Sequence, residues 1–266
     1  MSQEIKRIVV KVGTSTLTYP NGKTNLRHMS QLAAVLSDIM NSGCQVVLVS
    51  SGAIGVGVGK LGLKEKPKDT QGRQAAASVG QCELMFMYDK LFSEYSHTVA
   101  QLLITKSDVD DAERRANLIN TFEKLFEFGA MPIVNENDSV AVEEIVYGDN
   151  DCLSAIVACL TEADLLVILT DIDGLYDKNP KEYPDAKLIS VVEEITPEIQ
   201  ALAGGAGTEL GTGGMATKLH AAAIAGEKGI PTVVASGTPV TNLYDILEGK
   251  PTGTLFKGGK TDVCAD

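Results

Sequence analysis

The sequence predicts an α/β protein, a three-layer αβα sandwich around a mainly parallel open sheet, and three observations carry that expectation. Short β-branched or Leu-rich runs, apolar on both faces, recur along the chain; helical patterns separate them; and no Pro- and Ser-rich linker, internal repeat or low-complexity tract interrupts the alternation. Strands apolar on both faces need cover on both sides, so the alternation points to one domain over residues 1–266.

In chain order, Ile8-Val9-Val10 is the first strand. A helix is expected over residues 26–42, where Met29, Leu32, Ala33, Leu36, Ile39 and Met40 recur at helical spacing. Val46 to Val49 gives a second strand, 74–95 a helix, Val99 to Ile104 a strand, 112–128 a helix and Met131 to Val134 a strand. Two stretches break the rhythm. Ser139 to Tyr147 places Val140, Val142 and Ile145 in an alternating pattern and predicts a hairpin. Ala203 to Gly214 holds six glycines in twelve residues and predicts a mobile loop that orders when a ligand binds. Between them lie a helix from Asp151 to Leu160 and a strand from Leu165 to Leu169; after them come a helix over 215–228 and a strand at Thr232-Val233-Val234.

Composition excludes several function classes. The 266 residues carry 35 Asp and Glu against 23 Lys and Arg, a formal net charge of −12, without the basic excess that nucleic acid or an anionic membrane surface requires. An apolar fraction of 44% with 22% charged residues is that of a globular chain. Five cysteines, Cys44, Cys82, Cys152, Cys159 and Cys264, form no C-x-x-C pair, and the three histidines are scattered, so neither a disulfide framework nor a zinc site is expected. A reducing compartment, the cytoplasm, fits this usage, and no signal peptide or membrane span is expected. Cys152 and Cys159 read as small buried residues on one helical face.

Two glycine patterns match dinucleotide-binding motifs by letter only. Gly57-x-Gly59-x-x-Gly62 and Gly211-x-Gly213-x-x-Ala216 do not begin at a strand end, and no acidic residue closes a following strand. A Walker A loop is absent. Strand-to-helix turns with lysines close by are more informative: Lys11-Val12-Gly13-Thr14-Ser15, Ser50-Ser51-Gly52-Ala53-Ile54-Gly55, and Gly211-Thr212-Gly213-Gly214-Met215-Ala216-Thr217-Lys218. Glycines there let backbone N–H groups approach an anion, and a helix N-terminus adds its dipole. The expected ligand is a phosphate.

An acidic, amide-rich cluster follows: Asn135-Glu136-Asn137-Asp138, then Gly148-Asp149-Asn150-Asp151. Asx turns capping a strand and a helix account for part of it. Six carboxylates between Glu136 and Asp151 with no Lys or Arg among them also call for a bound cation or ammonium. Leu169-Thr170-Asp171-Ile172-Asp173-Gly174-Leu175-Tyr176 runs from a strand into a polar turn and is a candidate for nucleotide contact.

Taken in order, these motifs resemble the amino acid kinase family over essentially the whole chain. The Ser50 to Ile54, Asn135 to Asp151 and Thr170 to Tyr176 segments are similar to those of its members that act on L-glutamate; the first and last motifs have relatives in members acting on aspartate, acetylglutamate and uridylate. The resemblance implies phosphorylation of the side-chain carboxylate of L-glutamate by ATP with Mg²⁺, the first step of proline synthesis. Carried over by position, Lys11 and Lys218 flank the transferred phosphoryl group and Asp151 holds the two ammoniums. Ser51, Gly52, Ala53, Asp138 and Asn150 bind glutamate. Lys11, Gly13, Thr170, Asp171 and the run Thr212, Gly213, Gly214, Met215, Ala216, Thr217 and Lys218 bind ATP. No direct protein ligand for the metal is assigned. Many members continue into a C-terminal PUA domain that is not expected here, and the family implies feedback inhibition by L-proline and homo-oligomers, dimers or tetramers.

The chemistry agrees with that implication. A γ-carboxylate is ionised at neutral pH and needs no general base, and no Ser-His or Cys-His arrangement is present. Bringing it to an anionic phosphoryl group demands positioning and positive charge, which the two lysines and the backbone N–H groups of Gly13, Gly52 and Gly214 are placed to supply. Two other readings remain open: another acceptor within the family (acetylglutamate, aspartate or a nucleoside monophosphate), and a non-catalytic amino-acid sensor.

Overall fold

A computed structural model describes residues 5–19, 23–140, 150–203 and 214–258. The chain divides into two compact units, one of residues 1–11 with 147–266 and one of residues 12–146.

In the second unit the strand order is β3 (Val99–Ile104), β4 (Met131–Glu136), β2 (Gln45–Ser50), with β4 parallel to both neighbours. Leu48 sits opposite Ile133 and Leu102 opposite Val134, so apolar side chains are stacked in register across the unit. Strand β2 is buried from Val46 to Ser50 because helices supply the cover that its apolar faces require. Strand β3 corrects the expectation of burial on both faces: it ends the row, and of its six residues only Leu102 and Ile104 are buried. Helix α2 (Leu26–Asn41) turns Met29, Leu32, Ala33, Leu36 and Ile39 inward, and its N-cap Asn25 accepts a hydrogen bond from the His28 N–H. Helix α4 (Thr70–Ser93) begins four residues before the helical pattern, because Asp69 caps it by accepting from the Gly72 N–H at 2.7 Å.

In the first unit the order is β1 (Arg7–Val12), β5 (Leu165–Thr170), β7 (Thr232–Ser236), β8 (Thr254–Phe256), β6 (Val191–Val192). The pairing of β5 with β7 is parallel, and that of β7 with β8 antiparallel. Every residue of β5 is buried. Helices α7 (Asn150–Leu160) and α9 (Met215–Glu227) pack on each other, and the small residues Ala221, Ala222 and Ala225 are fully or almost fully buried on α9. Cys152 is buried on α7, and the half-buried Cys159 thiol faces the Ile224 carbonyl at 3.8 Å.

Six strands stand where the apolar runs predict them. The sequence pattern missed the two short strands β6 and β8, and five helices: α1 (Thr14–Leu17), α3 (Ala53–Leu61), α5 (Lys106–Asp110), α8 (Pro197–Ala203) and α10 (Asn242–Leu247). The expected hairpin lies largely outside the described residues, as does the glycine-rich stretch up to Gly213. Among the described residues no helix is long and apolar enough to cross a membrane.

Candidate active site

Among the described residues, the charged side chains singled out in the sequence gather in two places, one in each unit. In the first unit, β1 delivers Lys11, the first turn of α7 delivers Asp151 and the first turn of α9 delivers Lys218. The Lys11 Nζ lies 2.6 Å from Asp151 Oδ1, and the Lys218 Nζ lies 3.0 Å from Asp151 Oδ2. One carboxylate therefore holds two ammoniums, one on each oxygen. All three side chains are withdrawn from water, Asp151 at 0%, Lys218 at 3% and Lys11 at 4% exposure. The bland alternative for a strand-end lysine, a solvated surface residue, does not describe Lys11. Burial pushes the Asp151 carboxyl up, but the charges of Lys11 and Lys218, with hydrogen bonds from Lys11 and Thr217, hold it below its ordinary value. Two ammoniums set on one carboxylate suit the approach of an anion.

The backbone beside this cluster suits an anion. Helix α9 starts at Gly214, an extended N-cap with no side-chain hydrogen bond of its own, so the first-turn N–H groups receive no cap from it. The Thr217 hydroxyl lies 2.8 Å from both Asp151 Oδ2 and the Gly214 carbonyl, tying the start of α9 to α7. Gly214, Met215, Ala216, Thr217 and Lys218 thus occupy one turn, while Thr212 and Gly213 lie outside the described residues. Thr170 ends β5 and its hydroxyl donates to the Asp171 carboxylate at 3.1 Å. The turn that follows is anchored from the missed strand β8: the Leu175 N–H donates to Thr254 Oγ1 at 2.8 Å, and the Thr254 hydroxyl donates to the Ile189 carbonyl at 2.6 Å. Asn150 opens α7, directly before Asp151.

In the second unit the ends of β2 and β4 carry the other cluster. Ser51 and Gly52 are half-buried and Ala53 is buried at the start of α3. Gly52 has φ +101°, a left-handed conformation that a side chain would strain, and it is the N-cap of α3. A Cβ built on Gly52 would meet Thr14 at 3.8 Å, and one on Gly55 would meet the Thr14 methyl at 3.3 Å, so the Gly13-Thr14 turn and the Ser51–Gly55 turn lie against each other. Gly57 and Gly59 fall inside α3 and Gly62 caps its end, which removes the remaining case for a dinucleotide motif there.

Glu136 ends β4 and Asp138 follows it; both are half-buried and close enough to interact. Burial raises Glu136 to about 7, and the Asp138 charge adds to the rise. Burial also raises Asp138, with the Lys66 charge acting against it. Lys66 was missed in the sequence because it lies 72 residues from Asp138; the available signal was the run of four lysines between Lys60 and Lys68. Gln81 was missed too: the buried Asn135 amide donates to Gln81 Oε1 at 3.0 Å. Gly148 and Asp149 are outside the described residues.

The model of the Amino acid kinase family matches residues 6–236. The chain belongs to that family. It is 54% identical over 262 residues to the glutamate 5-kinase of Clostridium perfringens (strain 13 / Type A), covering 97% of each chain. To the glutamate 5-kinase of Listeria innocua serovar 6a it is 52% identical over 265 residues, 98% of this chain and 96% of that one. Among solved structures, the UMP kinase of Bacillus anthracis superposes with a TM-score of 0.65 at 16% identity, covering 96% and 97% of the two chains. At that identity the likeness shows the fold, and it is the α/β fold of the family that the sequence predicted.

Proposed function

We propose that this chain transfers the γ-phosphoryl group of ATP to the side-chain carboxylate of L-glutamate, giving L-glutamyl 5-phosphate, the first step of proline biosynthesis. The observation that carries the reading is the buried Lys11–Asp151–Lys218 cluster in a chain 54% identical over nearly its whole length to a glutamate 5-kinase.

Lys11 and Lys218 neutralise charge on the transferring phosphoryl group, and Asp151 keeps both ammoniums oriented before substrate arrives. Gly13, Thr170, Asp171 and Thr212 to Lys218 hold ATP. Ser51, Gly52, Ala53, Asp138 and Asn150 hold glutamate, with the Asp138 carboxylate facing the α-ammonium. The acceptor is already an anion, so no proton has to be removed from it. Among the described residues no three acidic, His or Cys side chains are grouped as metal ligands. Mg²⁺ would enter with ATP and supply positive charge to the phosphate oxygens.

We read the two units as one kinase domain over residues 1–266, working in the cytoplasm as a homo-oligomer, with L-proline as a feedback inhibitor. The test is a hydroxamate assay with ATP, Mg²⁺ and, separately, L-glutamate, N-acetyl-L-glutamate, L-aspartate and UMP. Acyl phosphate trapped with L-glutamate alone is the expected result. Turnover of another acceptor, or of none, would overturn the assignment.

A further inference from the structure

Helix α4 has no residue among those assigned to ATP or glutamate, yet it touches both segments that carry the glutamate assignment. Near its middle, Gly80 lies so close to the start of α3 that a Cβ there would stand 1.7 Å from the Ala53 carbonyl oxygen and 2.5 Å from the Gly57 nitrogen. The reciprocal contact is equally tight, since a Cβ on Gly57 would stand 1.8 Å from the Ala76 carbonyl oxygen. The next residue, Gln81, accepts from the buried Asn135 side chain at 3.0 Å. Ser78 lies 2.7 Å from Ser139, hydroxyl to hydroxyl, and further along the helix the buried Tyr88 hydroxyl lies 2.8 Å from Ser50. Ala53 is itself an assigned glutamate contact; Ser50 precedes Ser51, and Asn135 and Ser139 bracket Asp138.

We infer that the α4 turn Ser78–Gln81 is a positioning element for the acceptor: Gly80 fixes the height of the Gly52-Ala53 turn, Gln81 fixes Asn135, and together they set the spacing between the two glutamate-binding segments. Helix α3 is rich in glycine and buries little apolar side-chain area, so its place depends on backbone contact with α4. Backbone against backbone leaves no flexible side chain to absorb a change, and a methyl group at Gly80 has to move Ala53. The inference rests on the glutamate assignment above and names the residues that make that site rigid.

The experiment measures kcat and KM for both substrates, with Tm, in Gln81→Met, Gln81→Glu, Gly80→Ala and, as a control at an exposed position on the same helix, Lys90→Ala. Gln81→Met keeps the length of the side chain and removes the acceptor for Asn135; it is expected to raise the glutamate KM about tenfold, with the ATP KM within twofold and Tm little changed. Gln81→Glu keeps an acceptor oxygen and is expected to fall between Gln81→Met and the parent chain. Gly80→Ala is expected to exceed Gln81→Met in glutamate KM, and the Gln81 pair decides the question if that variant does not fold. An unchanged glutamate KM in Gln81→Met, or equal rises in both KM values with a lowered Tm, would overturn the inference. A parent chain with no glutamate turnover would instead remove the functional reading on which it rests.

Discussion

Asp151 in one unit and Glu136 in the other are both withdrawn carboxyl groups near the ends of their elements, and they are driven in opposite directions. Asp151 sits between two ammoniums and is held below its ordinary value although burial alone would raise it. Glu136 faces Asp138 and is raised to about 7. The difference is the company each keeps: paired opposite charge repays desolvation, whereas like charge compounds it. A chain with a net charge of −12 thereby keeps two ammoniums on one carboxylate in one unit and sets two carboxyl groups against each other in the other, where the proposed function puts the glutamate α-ammonium.

The sharpest way to break this contrast is Asp151→Asn. The two lysines would then share a buried position without their carboxylate, which costs about 3–5 kcal/mol for a broken buried pair. Urea unfolding is expected to show that loss, and turnover is expected to fall at least a hundredfold as the ammoniums separate. The parent chain also has a pH signature. A carboxyl held low in the folded state contributes stability that is present at neutral pH and disappears as pH falls through the lowered value, so the acid limb of the stability curve should flatten in the variant.

A smaller effect of opposite sign is expected at Glu136. The folded chain keeps its proton up to about 7, whereas the unfolded chain releases it near 4.5, so folding takes up a proton between those values. Stability from this group therefore decreases as pH rises from about 4.5 to about 7. Relative to the parent chain, Glu136→Gln should be more stable at pH 8 than at pH 5, read as the difference in Tm. A constant difference across that range would mean that Glu136 titrates as an ordinary exposed acid.

The smallest effect is expected from Lys66→Met. Lys66 is exposed, and its charge lowers Asp138 only against a larger rise from burial. Removing it should move the Asp138 carboxyl titration, followed by carboxyl NMR, to higher pH. A shift downward would show that Lys66 is not the cation that Asp138 feels.

Much of this architecture is legible in the chain because buried parallel strands leave an apolar signature that survives without context; β5, buried at every residue, is the clearest case. Helix α3 is not legible for the opposite reason. Gly55, Gly57 and Gly59 argue against a helix, and it forms because Gly57 and Gly80 let it dock backbone to backbone on α4, a tertiary cause with no local trace. Strands β6 and β8 span two and three residues, too few to show a period. In the candidate site, Lys11 is recognisable because it stands where a strand runs into a glycine-containing turn, and Asp151 and Lys218 because each stands in the first turn of a helix that follows a polar or glycine-rich stretch. Lys66 and Gln81 are not, since what makes them important is a neighbour 72 and 54 residues away.

The most direct test of the division of labour between the two clusters is a pair of steady-state measurements on Lys218→Met and Asp138→Ala. Lys218→Met removes charge that the proposed function places on the phosphoryl group in the transition state, and is expected to reduce kcat about a hundredfold, roughly 3 kcal/mol, with the glutamate KM unchanged. Asp138→Ala removes the carboxylate that the proposed function sets against the glutamate α-ammonium, and is expected to raise the glutamate KM roughly 30-fold, about 2 kcal/mol, with little change in kcat. A reversed pattern, with Lys218→Met acting on the glutamate KM and Asp138→Ala on kcat, would contradict the assignment of the positive cluster to the phosphoryl donor and the acidic cluster to the acceptor.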